Sequence, residues 1–185
     1  MAIQTRQEKR KERTATAEVN AIRAEGPERT VTLECAFHAT IEDVWALWTT
    51  KKGVESWWGP EGFTTEVRAL DPRPDGRLEY AMTATGPEQV AAMRAAGVEP
   101  VTAVRGTFTE VVPRQRLAYR TRIDFIPGAS PYEVATVVEF ETTAYGVRIV
   151  VTGDRMHDAE WTRMWALGMT GSLHRLQNVA EARQP

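Results

Sequence analysis

The segment from Asp158 to Val179 constrains the fold more than any other, because twenty-odd residues keep one helical period. Asp158 stands where an N-cap belongs, and Glu160 falls in the first turn. At about 100° per residue, Trp161, Met164, Trp165, Gly168, Met169, Ser172, Leu173, Leu176 and Val179 share one half of the wheel. Arg163, Thr170, His174, Asn178 and Glu181 occupy the other half. A helix of this length spans roughly 30 Å. Its apolar face must be covered by the rest of the chain, which is strand-rich.

The first strand begins near Thr30, where Val31, Leu33, Cys35 and Phe37 alternate with Thr32, Glu34, Ala36 and His38. Thr40 then caps a short helix over 41–48, with Glu42 and Asp43 in its first turn and Thr40 with Asp43 forming a capping-box variant. A second short helix runs from Thr50 to Trp57 and must end at Gly59-Pro60. Segments 63–70 and 77–84 form a hairpin about the turn 71–76. Gly86-Pro87 introduces an alanine-rich helical insertion that closes at Gly97. Strands follow at about 101–112, 115–126, 132–143 and 147–155, and their short turns make them antiparallel neighbours.

A long helix over such a body implies an α+β fold, a curved antiparallel sheet wrapped around the C-terminal helix. A curved sheet leaves space beneath the helix. Gly168 and Ser172 sit at the middle of the helix's inner face, between bulky Trp161, Trp165, Met169 and Leu176, although an interior glycine costs about 1 kcal/mol relative to alanine. Close packing on the sheet and a ligand cavity both account for that gap. In the second case the insertion at 87–97 is a candidate lid.

At 185 residues the chain is long enough for one domain, read here as 30–181 behind a charged arm over 1–29 that is flexible or a surface helix. Lys plus Arg total 23 and Asp plus Glu 25, a net charge of −2, so no global field recruits nucleic acid. The first thirty residues carry no apolar core of a signal peptide, and no run of eighteen apolar residues predicts membrane insertion. Cys35 is the one cysteine and lies in phase with the buried side of its strand, which predicts an inert thiol in a cytoplasmic protein. Phosphate-binding glycine motifs are absent, and Gly168-Met169-Thr170-Gly171-Ser172 lacks the spacing of a nucleophile elbow.

Several stretches together resemble a known family. They are Phe37-His38-Ala39-Thr40 leading to Val44-Trp45, Trp57-Trp58-Gly59-Pro60-Glu61-Gly62-Phe63-Thr64, and Gly106-Thr107-Phe108-Thr109-Glu110-Val111-Val112-Pro113 with Arg116-Leu117. With the long last helix they resemble the START-like, Bet v-type superfamily called SRPBCC. The nearest likeness is to the C-terminal domain of the heat-shock-chaperone ATPase activators and its stand-alone bacterial relatives. The resemblance covers roughly 30–180 and implies a helix-grip fold, in which a seven-stranded sheet grips the last helix over a deep apolar cavity.

Three functions follow from residues and resemblance together. The first is binding of a small apolar ligand, aromatic or lipid-like, with no cofactor needed. Tyr80, Met82, Phe108, Tyr119, Phe140, Trp161, Trp165, Gly168, Met169 and Ser172 are its candidate lining. The second is an enzyme of the polyketide cyclase or dehydratase type in the same cavity, which needs a positioned acid or base. Arg105, Arg120, Asp124 and Glu139 alternate out of phase with the apolar set and so face solvent. His38 and His174 fall on polar faces, and His157 with Asp158 is better read as a helix start than as a metal site. The third is chaperone ATPase activation, although residues 1–29 hold no Asn-Asn-Trp-His-Trp type motif. Exchange of the arm with a second copy leaves a homodimer open.

Overall fold

The computed structural model describes residues 29–183. The arm expected over 1–29 lies outside the described residues except for Arg29, whose carbonyl accepts a hydrogen bond from the Arg155 amide at 2.8 Å. Seven strands form one antiparallel sheet: β1 (Thr30–Phe37), β2 (Phe63–Leu70), β3 (Arg77–Ala84), β4 (Val101–Val112), β5 (Arg116–Ile123), β6 (Tyr132–Thr143) and β7 (Gly146–Asp154). Their order across the sheet is β1-β7-β6-β5-β4-β3-β2. Strands two to seven thus follow as a meander, and only β1 comes from far in sequence, closing on β7 with Val31 opposite Gly153 and Phe37 opposite Val147. The fold is the expected α+β helix grip.

Four helices complete it: α1 (Ile41–Thr49), α2 (Lys51–Trp57), α3 (Pro87–Ala95) and α4 (Ala159–Glu181). Each of three starts on a side-chain cap. The Thr40 hydroxyl accepts the Asp43 amide at 3.1 Å and donates to the Asp43 carboxylate at 2.7 Å. Thr50 ends α1 and caps α2 by accepting the Gly53 amide, which makes the two helices a tight angular pair. Asp158 caps α4 through the Trp161 amide at 2.7 Å, as the sequence predicts. The fourth, α3, starts on Gly86 and Pro87 with no side-chain cap and buries none of its residues.

Two bulges curl the sheet, one between Val67 and Ala69 and one between Phe108 and Glu110. The concave face carries Leu33, Cys35, Val67, Leu78, Phe108, Leu117, Val138, Ile149 and Val151, all buried. Arg105, Arg120 and Glu139 are exposed on the other face, as their alternation predicts. On that convex face Arg148 binds Glu34 through two hydrogen bonds at 2.6 and 2.8 Å and Glu141 through one at 2.9 Å.

The burial of α4 departs from the expected half-wheel in one respect. Met164, placed on the inner half, is 41% exposed, while Thr162 and Gln177, which that half does not name, are buried. Both buried polar side chains bond locally: Thr162 Oγ1 donates to the Asp158 carbonyl and accepts the Met156 amide, and Gln177 Nε2 donates to Glu181. The apolar face of α4 is therefore not covered uniformly along its length, and the uncovered stretch is where space opens.

Candidate functional site

The tryptophans of α1 and α2 fill one end of the layer between sheet and helix. Trp48 stacks obliquely on Trp57 with centroids 4.6 Å apart, and Trp57 donates its indole N–H to the Leu47 carbonyl at 2.9 Å. Phe140 sits edge-on to Trp45 at 5.3 Å and to Trp48 at 5.9 Å. Phe108 is 2% exposed and stands edge-on to Tyr119 at 6.1 Å. What void remains among Trp48, Val54, Leu78, Phe108 and Leu117 is about 10 Å3, the least that admits one water. Two expected lining residues, Phe108 and Phe140, thus belong to solid core and not to a pocket. Their strand faces are as read, but the aromatic cluster from α1 and α2 occupies the space in front of them.

Trp58, the residue after α2, is the partition. Its ring meets Trp57 at 4.9 Å and Trp48 at 5.6 Å on one side, and Tyr80 at 5.6 Å and Tyr119 at 6.5 Å on the other. Beyond it lies a cavity of about 410 Å3, inside the range of small-molecule sites. Tyr80, Met82, Tyr119, Trp161, Trp165, Gly168, Met169 and Ser172 all line it, eight of the ten expected residues. A Cβ built on Gly168 meets nothing within 4 Å, so this glycine faces space and does not serve close packing. The close approach lies elsewhere: a Cβ on Gly153 of β7 would strike the Trp165 ring, so Gly153 is what lets that ring lie on the sheet.

Residues that the sequence reading did not name as lining complete the wall. Trp58, Gly59, Pro60 and Phe63 form one side, and Ile123, Phe125 and Met156 the far end. The insertion does lie over the cavity, as expected of a lid: Gln89, Ala92, Met93 and Ala96 of α3 and its C-cap line it. Exposed Ala92, Ala96 and Met164 sit at its rim.

The wall segment 58–63 is held to α4 by polar contacts that hydrophobic periodicity does not register. Arg175 Nη1 donates to the carbonyls of Gly59 at 2.9 Å and Phe63 at 3.1 Å, and Nη2 reaches the Ser56 carbonyl at 3.4 Å. Of these acceptors only the Ser56 carbonyl lies in the last turn of α2, where the helix dipole favours a cation; the others belong to the loop beyond it. Ser172 Oγ donates to the Gly168 carbonyl and accepts the Gly59 amide at 3.2 Å, so its hydroxyl is committed to structure. Gly171 comes so near Pro60 that a Cβ would lie 2.9 Å from the proline Cβ.

Polar chemistry inside the cavity is sparse. Among the described residues no lysine, arginine, histidine, aspartate or glutamate lines it. Burial pushes the Tyr80 phenol up to about 12, with a smaller opposite pull from the Trp58 side chain. Burial drives Tyr119 further above the ordinary tyrosine range, Tyr80 adds to it, and Thr136 opposes it. Tyr119 Oη nonetheless has no hydrogen-bond partner, although Thr136 is its cross-strand neighbour. Both phenols stay protonated through neutral pH and offer donors.

The remaining candidates lie apart. His38 and His174 are exposed. His157 Nδ1 is 3.0 Å from the Tyr132 hydroxyl and Nε2 is 3.2 Å from the capping Asp158 carboxylate. No group of three or more His, Cys, Asp or Glu side chains is placed to hold a metal among the described residues. Cys35 is buried, and burial, with Glu181 adding to it, pushes its thiol up to about 12. No helix among the described residues is long and apolar enough to cross a membrane.

Fold and site together define a helix-grip domain with an apolar chamber under the first half of its last helix. A family model described as Activator of Hsp90 ATPase homolog 1-like protein matches residues 38–181, and the chain belongs to that family. Solved structures share the fold. A protein from Chromobacterium violaceum is 24% identical with a TM-score of 0.69, covering 84% of this chain and 99% of that one. A Mycobacterium smegmatis protein is 20% identical with a TM-score of 0.70, covering 90% and 100%. The AHSA1 protein from Silicibacter pomeroyi is 22% identical with a TM-score of 0.66, covering 84% and 99%. No curated protein matches the chain significantly.

Proposed function

We propose that this protein binds a small apolar molecule in the chamber between its sheet and α4. The observation that carries the reading is a cavity of about 410 Å3 whose described lining is apolar apart from a few hydroxyl, amide and indole groups. Burying an apolar ligand there gains about 25 cal/mol per Å2 removed from water. Met82, Met93, Met156, Met164 and Met169 make the wall adaptable in shape. Such a wall discriminates weakly among apolar outlines, so it suits a family of related molecules rather than one.

The test is titration with N-phenyl-1-naphthylamine, an uncharged dye that fluoresces in apolar surroundings. The expected result is saturable binding at one site per chain, lost in Gly168→Leu, whose side chain would project into the chamber. A dye that does not bind the native chain, or that binds Gly168→Leu equally well, refutes the reading.

A further inference from the structure

The cavity wall carries two phenols and no ionic group, and that combination specifies a ligand chemistry narrower than apolarity. A carboxylate or ammonium carried into the chamber would lose its hydration without meeting an opposite charge among the described lining residues. The part of the ligand that enters is therefore uncharged. Yet the wall is not indifferent to polarity. Tyr119 Oη is shielded from solvent and makes no hydrogen bond, a state that is uncommon for a buried hydroxyl. Tyr80 stands on the same wall beside Trp58, and an indole N–H is a donor only, so whatever Trp58 gives to Tyr80 leaves the Tyr80 proton uncommitted. The two phenols feel each other, since Tyr80 contributes to the raised affinity of Tyr119 for its proton. Tyr119 reaches none of the side-chain acceptors that the chamber itself offers, those of Gln89, Thr102, Thr136 and Ser172, so its donor is left for a ligand.

We propose that the chamber takes an uncharged, mainly apolar molecule bearing a hydrogen-bond-accepting oxygen, of the ketone, quinone or ester kind, held by the hydroxyls of Tyr80 and Tyr119. This rests on the cavity reading above. The acceptor supplies the partner that Tyr119 lacks, and the ring faces of Trp58 and Trp165 hold the apolar part beside it.

The test uses three probes of one shape on the full chain: 2-acetylnaphthalene, 2-isopropenylnaphthalene, in which CH2 replaces the oxygen, and 2-naphthoate. Each competes with bound N-phenyl-1-naphthylamine, and the quantity read is the ketone-to-alkene ratio of Kd values in the native chain, Tyr80→Phe and Tyr119→Phe. The ratio isolates the oxygen, because shape and most of the apolar contact cancel. The ratio should move against the ketone by roughly tenfold in Tyr119→Phe and in the same direction in Tyr80→Phe, with alkene binding unchanged. Naphthoate should fail to displace the dye at concentrations where the ketone does. Each variant removes one oxygen and keeps its ring, and if one fails to fold the other reads the same ratio. A ratio unmoved in the folded variants, or displacement by naphthoate as strong as by the ketone, overturns this inference and leaves the cavity reading standing. A dye that never binds the native chain removes both.

Discussion

The two ends of the layer under α4 are built from the same helix and the same strands, yet one is solid and the other hollow. The second half of the helix, with Leu173, Leu176 and Ala180 fully buried, meets the tryptophan pair of α1 and α2. The first half, with Trp161, Met164, Trp165 and Gly168, has the chamber beneath it, and α3, which buries none of its residues, lines the same chamber without filling it. Hydrophobic side chains are abundant at both ends, so hydrophobicity alone does not make a core. A core needs a third element to fill the gap that curvature creates, and α1 with α2 reaches only half of the helix.

That contrast yields predictions, the largest at the solid end. Trp57→Ala removes a fully buried ring and leaves the Leu47 carbonyl without its indole donor. It should cost about 3–5 kcal/mol in urea unfolding, and a cost below about 1 kcal/mol would say that the end is not solid. Alkali should act next. Cys35 and Tyr80 hold their protons more tightly when folded, burial pushing each up to about 12 from the ordinary 9.0 and 10.0. Their contribution is complete below pH 9.0 and is lost as pH climbs toward about 12. A melting temperature that holds steady up to about pH 9 and then falls is expected, and a thiol reagent at pH 8 should find Cys35 only on unfolding.

Arg175→Ala tests the partition between the ends. It strips the Gly59 and Phe63 carbonyls of their donor and should cost about 1–3 kcal/mol, together with weaker dye binding, because the Trp58–Phe63 wall loses its anchor. A stability loss with dye affinity intact would separate that loop from the chamber. The finest contrast lies three residues apart on one helix. Gly168→Ala should stabilise by up to about 1 kcal/mol, since helix propensity improves and the new methyl meets only space. Gly171→Ala gains the same propensity but pushes on Pro60, so it should be neutral or destabilising. Equal effects of the two alanines on urea midpoints would dissolve the distinction between open and closed faces.

Much of the fold is legible from local pattern. The caps at Thr40 and Asp158, the turn before β3 and the alternation in β1 and β5 each need only neighbours in sequence to act. The site is legible where a residue's face decides its fate, as for Tyr80, Tyr119, Trp161 and Trp165. It is illegible where depth along the layer decides. Phe108 and Phe140 share a sheet face with Tyr119, but Trp48 and its companions fill the volume before them. Trp58 and Trp57 are identical in sequence character, and only the end of α2 sends one into core and the other to the chamber wall.

Sequence alone therefore determined the order of elements, the α+β class and the inward faces, because each depends on period, capping or composition that neighbouring residues carry, and the family resemblance added the helix grip. Tertiary structure alone decided where the hollow lies, that Gly168 opens on it while Gly153 and Gly171 admit a ring and a proline, and that Arg175 ties the wall to the helix. The physical reason is that empty volume belongs to no residue: it is what remains after distant side chains have claimed their space.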